Sequence, residues 1–238
     1  MLPSNREFTA SRTGGSERVL SAFMSRVYLW MMIGITITGI VAYAVSSQPQ
    51  MVMQIAQNKI LFFGLVVLQL GAVLVLSVWV QRMSVMMASF IYTLYAALTG
   101  LTFSVIFLVY TMQSISSTFF VTAFAFGGLS LFGYTTKRDL GPIGSFCMIG
   151  LFGMIGVMLV GFFVPSMMGN SMQLTISSIG VLVFAGLTAY DTQRIKALSL
   201  SYTGSEMAAK GAIYGALILY LDFINLFLNL LRLMGDRR

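Results

Sequence analysis

The chain has 238 residues, 58% of them hydrophobic and only 9% charged, with a net charge of +7 and no histidine. A soluble domain of this size carries about 25% charged residues, so a soluble globular fold is excluded. The basic excess is scattered between apolar runs and not gathered in a patch, which argues for topology determinants and against nucleic acid. The missing histidine removes the commonest metal ligand and the usual switch near neutral pH. Cys147 stands alone, so no internal disulfide forms, and its apolar setting marks it as a small core hydrophobe.

Residues 1–26 are polar and Ser/Arg-containing, and read as a cytoplasmic tail that approaches the membrane amphipathically near Leu20. Residues 27–238 then form one transmembrane domain. Its apolar runs predict spans at Val27–Val45, Ile60–Val80, Val85–Tyr110, Ile115–Tyr134, Ile143–Val164, Leu174–Asp191 and Ala212–Met234. Each is near the roughly 20 residues needed to cross about 30 Å of hydrocarbon. Continuous runs, not alternating ten-residue strands, exclude a barrel, and the expectation is an all-α integral membrane protein. Ala42-Tyr43-Ala44 resembles a signal cleavage site, but the long leader and apolar stretch predict an uncleaved first span. The sixth helix is expected to continue to about Leu198. Gly211 and Gly215, and the series Gly150, Gly153 and Gly156, predict close helix contacts inside the bundle. The eighteen methionines serve as adaptable packing, not as a cofactor box.

Lysine and arginine sort by side. Arg6, Arg12, Arg18, Arg26, Arg82, Lys137, Arg138, Arg194, Lys196 and Lys210 fall on one face, against Lys59 alone in the opposite loops. The basic face is expected to be cytoplasmic, with the N-terminus on it. Seven full crossings leave Arg232, Arg237 and Arg238 outside, against that bias; a re-entrant last segment would keep both termini cytoplasmic. Ala212–Met234 is long enough to span, so seven crossings are expected.

Of the seven acids, only Asp191 and Asp222 lie in or at the end of a span. A carboxylate at the bilayer centre costs about 3 kcal/mol on insertion scales and marks a functional position. At 100° per residue, Asn225 lies about 60° from Asp222, Asn229 about 20° and Arg232 about 80°, all on one side. Tyr220 adds a further polar group to this face. Ser177, Thr188 and Asp191 share a stripe on the preceding helix. Consecutive antiparallel helices bring such stripes face to face, with the two acids offset by about 7 Å along the axis. Two carboxylates in one dry site cannot both ionise cheaply, so they would share a proton and titrate as a unit. A role confined to helix packing remains the structural alternative.

The segments "AYDTQRIK" (Ala189–Lys196) and "ALILYLDFINLFLNLLRLMG" (Ala216–Gly235), with "TTKRDL" (Thr135–Leu140) and "YTLYAALTGLT" (Tyr92–Thr102), resemble the Bax inhibitor family, in particular its bacterial inner-membrane branch. The likeness covers residues 20–238. It implies a seven-helix bundle with the last helix central, and a pH-sensitive calcium leak controlled by two aspartates on the last two helices. Those map onto Asp191 and Asp222, which also become the candidate calcium ligands. The family's latch arginine at the end of the second span falls at Gln81 here, with Arg82 adjacent as the substitute.

Three functions follow from these residues. The first is a cation leak, of calcium or protons, gated by Asp191 and Asp222 with Arg82 as latch partner and Asn225, Asn229, Thr188 and Ser177 in support. The second is a non-conducting regulator that binds another membrane protein, with the basic N-terminal segment as docking arm. The third is an intramembrane aspartyl protease, which needs two carboxylates across consecutive helices. Such proteases place a glycine beside the second acid, and Leu219-Tyr220-Leu221-Asp222 has none. No enzymatic activity and no cofactor are expected. The bilayer is the expected partner, and the lack of a phosphate-binding glycine loop or a recognisable metal cluster argues against an ATP-driven pump.

Overall fold

A computed structural model describes residues 5–202 and 204–237, with side chains from Glu17 onward. These residues form nine α-helices joined by short turns and three 3₁₀ segments. Seven helical stretches are long and apolar enough to cross a membrane: Glu17–Ser46, Lys59–Arg82, Val85–Val109, Met112–Thr135, Gly141–Phe163, Asn170–Ser201 and Ser205–Met234. Each coincides with a span expected from the sequence.

The first helix, α1 (Asn5–Ser46), starts well before Val27. Phe23 and Met24, inside the segment expected as a tail, are buried in the core. The loop expected at Ser46–Lys59 contains α2 (Pro49–Gln57), opened by Pro49 at its first turn. That placement uses proline's fixed φ and missing N–H where neither disturbs a helix. Val52 and Ile55, one turn apart, anchor α2 on Val41, Phe62, Leu65 and Leu101. Next, α3 (Lys59–Trp79) is capped by Asn58, whose Oδ1 accepts from the Leu61 N–H at 3.1 Å.

The third span is broken: α4 (Val85–Phe103) gives way at Ser104 to α5 (Ile106–Val109). Ser104 donates to the Leu101 carbonyl at 2.7 Å, the kind of local serine bond that competes with the helical ladder. Ser84 and Thr111 cap α4 and α6 (Met112–Thr135) by accepting from Met87 and Ser114 N–H groups. The remaining spans are α7 (Gly141–Phe163), α8 (Asn170–Leu198) and α9 (Ser205–Met234). The expected extension of the sixth span to Leu198 is present. The seventh begins seven residues before Ala212, after Gly204 turns the chain at φ 91°, a conformation that glycine adopts without a Cβ penalty.

Among the seven spanning stretches α9 is the most enclosed, with 72% of its apolar window buried. It packs against α8, α1, α6 and α4, while α7 joins the bundle through α8 and faces α9 across a cavity. As an unbroken 30-residue helix, about 45 Å long, α9 contains no re-entrant break. Its C-terminal end meets the loop before α6: the Asp236 N–H donates to Ser114 Oγ at 3.0 Å, and the Thr111 N–H donates to the Asp236 carbonyl.

Close approach of backbones is a property of particular glycines. A Cβ on Gly133 would strike the Ala189 carbonyl, and one on Gly144 would enter the Tyr190 ring. Gly211 lies under Tyr202, and Gly215 meets Ile195 and Val27, so the GxxxG pair packs internally as expected. The α7 series is corrected: Gly150 touches Val183, but Gly153 and Gly156 face open space. A three-residue period rotates by 300° per step, so the series drifts off the contact face. Cys147 is buried, with Gly186 opposite its sulfur.

Candidate functional site

The α8–α9 interface positions the intramembrane acids. Gly215 lies against Ile195, and Gly180 lies against the amide of Asn229. These two contacts fix an antiparallel register in which Asp191 stands opposite residues 218–219. Asp222 is then three to four residues further along, an axial offset of about 5 Å. The register follows from the turn between the helices, where Tyr202 folds back over Gly211.

Asp191 and Asp222 line one cavity of about 770 Å³ and lie within electrostatic reach of each other. Both are buried, at 8% and 5% exposure. Asp222 Oδ2 has no hydrogen-bond donor, while Asp191 Oδ1 is 3.9 Å from Arg194 Nη1. The walls on α7 are Met148, Leu151, Met154, Ile155 and Met158, with no ionisable group among them. The charged and titratable groups facing the pair are Tyr190 and Arg194 on α8, and Tyr214 and Arg232 on α9.

Of the polar groups expected on one face of α9, Asp222, Asn225, Asn229 and Arg232 line the cavity. Tyr220 is turned away from it, fully buried between Tyr92 and Tyr95, with its hydroxyl 2.7 Å from that of Thr38. From the level of Arg194 to Arg232 the lining covers about 25 Å of helix axis, most of a hydrocarbon core. Thr188 and Ser177 are placed elsewhere. Both are fully buried and neither lines the cavity; Thr188 donates to the Phe184 carbonyl at 2.7 Å, and Ser177 Oγ has no partner.

Arg82 is exposed in the 3₁₀ turn Val80–Arg82, outside this cavity, and makes no ion pair among the described residues. The arginine beside the acids is Arg194. It was legible as the residue one turn after Asp191, though loop counting assigned it only to topology. At the position where the resemblance puts a latch, the cation comes from the other helix. Lys210 on α9, only 8% exposed, pairs with Glu206 at 2.7 Å and reaches the Gln81 carbonyl at 3.5 Å. A smaller cavity of about 210 Å³, lined by Gln81, Tyr202 and Lys210, shares Arg194 and Tyr214 with the larger one.

The model of the family described as "Inhibitor of apoptosis-promoting Bax1" matches residues 20–238. The chain belongs to the Bax inhibitor family. It is 44% identical over 221 residues to the inner membrane protein YbhL of Escherichia coli K12, covering 92% of this chain and 93% of that one. An uncharacterized protein of Deinococcus radiodurans is 43% identical, with 90% of each chain covered. Another from Rickettsia prowazekii is 38% identical, covering 97% of this chain and 96% of its own. The match and the seven apolar helices together make this Bax inhibitor family member a multi-pass membrane protein in contact with the bilayer.

Proposed function

We propose that this protein is a pH-sensitive cation leak of the bacterial inner membrane, with Asp191 and Asp222 as sensor and pathway acids. The observation that carries the proposal is the one cavity, bordered by an apolar α7 wall, that holds both buried carboxyls, Asp191 from α8 and Asp222 at the head of the polar face of α9. Protonated, the pair is neutral and can share a proton, which holds α8 and α9 together. Ionised, it repels itself and attracts a cation, because like charges in a poorly hydrated site are costly until a counter-ion arrives. Calcium is the proposed cargo, since hard divalent cations take oxygen ligands. Cation occupancy therefore rises with pH as protons leave the carboxyls. The inner-membrane placement is carried by the name of the Escherichia coli relative, and a cytoplasmic N-terminus by the arginine and lysine asymmetry.

Reconstitution in calcium-loaded vesicles tests the leak. The wild-type flux is expected to change with pH as the pair loses its shared proton. Asp222→Asn, which keeps the shape and removes the titration, is expected to give a pH-independent flux at least ~10-fold below the wild-type maximum, a change of about 1.4 kcal/mol. No flux from the folded wild type would sink the proposal and favour a non-conducting regulator. A pH response unchanged in Asp222→Asn would remove the acids from the gate.

A further inference from the structure

A second space, a groove of about 620 Å³, lies between α1 and α6 on another side of α9. Here α1 packs against α4 and α9, and α6 against α8 and α9, so the two walls stand over α9, whose Phe223 forms part of the floor. Met32 and Leu131 line the groove and are exposed, so it opens sideways to the bilayer. Ala123 and Gly127, one turn apart, hollow the α6 wall: a Cβ on Gly127 would meet nothing within 4 Å. The α1 wall carries Met24, Met31 and Met32, side chains that adapt to a flexible occupant.

The lining changes character with depth. The Tyr28 hydroxyl is 2.6 Å from Ser130 Oγ, which is 2.9 Å from Thr192 Oγ1, and Thr192 donates to the Thr188 carbonyl at 2.8 Å. Each hydroxyl has one proton, so Ser130 donates to Thr192 and Tyr28 to Ser130, and this set leaves no donor for the groove. Deeper than Tyr28 the lining is apolar throughout, with Ile35, Phe119 and Phe126 among it. Toward the basic face, Ser21 and Ser25 line the mouth. Tyr134 and Lys196 lie four residues past Ser130 and Thr192, on crossings that run in the same direction, about 6 Å nearer that face. Lys196 Nζ donates to the Tyr134 carbonyl at 2.8 Å and stands 4.8 Å from the Tyr134 ring centroid. Arg18, exposed, precedes Ser21 by three residues and Ser25 by seven, which puts all three on one face of α1. The acids at this end, Glu17 and Asp139, are exposed and outnumbered by Arg18, Lys137, Arg138 and Lys196.

Dimensions select the occupant. From Ser21 to Ile35 the α1 wall runs about 21 Å, so the groove's volume averages to a cross-section of about 30 Å². A helix with its side chains, at least ~10 Å across, needs about 80 Å² and does not fit; a single hydrocarbon chain does. The stretch from Ser25 to Ile35 is about 15 Å long, half the hydrocarbon thickness and the depth that one leaflet's chains reach. Water finds no partners in its apolar part, and an unfilled wall forfeits its dispersion contacts. We infer that this groove binds one acyl chain of an anionic phospholipid from the leaflet on the basic face, with its tail over Phe223 and its phosphate beside Lys196 and Arg18. Basic side chains at a membrane surface favour anionic headgroups, and tyrosines such as Tyr28 and Tyr134 suit the level where tail meets head. The site shares no residue with the acid cavity, and its test does not depend on conduction.

The full chain, purified in mild detergent, is exposed to phosphatidylglycerol and separately to phosphatidylethanolamine, and bound lipid is counted by native mass spectrometry. The wild type is expected to hold one phospholipid per chain, with phosphatidylglycerol preferred several-fold. Gly127→Leu, and Ala123→Phe on the same wall, fill the groove and are expected to lower occupancy at least ~10-fold. Gly128→Leu is the control: a Cβ there also meets nothing within 4 Å, but Gly128 does not line the groove, and binding should match the wild type. Lys196→Gln is expected to lower the phosphatidylglycerol preference while a lipid is still retained. A wild type without bound lipid overturns the site, as does undiminished binding in a folded Gly127→Leu or Ala123→Phe. Equal loss in Gly128→Leu would mean a general lipid belt, and a dimer dissociated by Gly127→Leu would make the occupant a second copy; either overturns the inference. An unchanged headgroup preference in Lys196→Gln overturns the anionic assignment.

Discussion

Two spans of this bundle, α3 and α9, are both apolar enough to cross a membrane, yet 72% of the α9 window is buried against 6% for the second span. The more enclosed of them is the less apolar. Lipid is as hospitable to leucine as a protein interior is, so apolar side chains do not choose between inside and outside. Small and polar residues do. On α9, Gly211 and Gly215 admit the side chains of Tyr202, Ile195 and Val27, Ala212 and Ala216 are fully buried, and Tyr220, Asp222 and Asn229 cannot face hydrocarbon. On α3, Gln69 is the one strongly polar side chain between its ends; it donates to the Leu65 carbonyl and accepts from Thr99. Its Gly64 and Gly71 have open space around them, and Ile60, Val67 and Leu74 face outward.

The contrast breaks or sharpens under paired substitutions, measured by unfolding in mixed micelles on SDS titration. The largest effect is expected for Ala216→Leu, at a fully buried position of α9. Overpacking there should cost ~1–3 kcal/mol, and a neutral result would mean that α9 is enclosed loosely. A smaller effect is expected for Tyr220→Phe, which removes the 2.7 Å bond with Thr38; that hydroxyl also donates to the Ala96 carbonyl. Buried hydrogen bonds in bilayers average about 0.6 kcal/mol, because the unfolded helices find other partners. The smallest is expected on α3, where Leu74→Ala and Gly71→Ala should stay within about 0.5 kcal/mol. A loss above 1 kcal/mol from Leu74→Ala would show a partner on that face that the single chain lacks.

The seven helical spans and the pair of intramembrane acids were legible because both rest on one-dimensional quantities: run length, side-chain charge and a 100° step. The face shared by Asp222, Asn225 and Asn229 follows from the same step, and the cavity contains all three. Less legible were features set by contacts between distant segments. The helix α2 has only two anchoring residues, Val52 and Ile55, whose meaning depends on Leu101 being nearby. Arg82 and Lys210 are both single cations at the ends of spans. That Lys210 bonds the Gln81 carbonyl depended on where α9 begins, and it begins before the apolar run does. Thr188 and Ser177 share a stripe with Asp191, yet both are fully buried and neither lines the cavity.

By itself the sequence determined that the chain spans a membrane, how many helices cross it, and that Asp191 and Asp222 are its costly residues. The bilayer imposes those properties one segment at a time, through hydrocarbon thickness and the penalty on buried charge. Tertiary structure alone decided that the turn at Gly204 sets the acids about one helical turn apart in depth, that Arg194 stands beside Asp191, and that Gly180 leaves room for the Asn229 amide. Those outcomes depend on helix register and backbone separation, and a difference of a single methyl group is enough to change them.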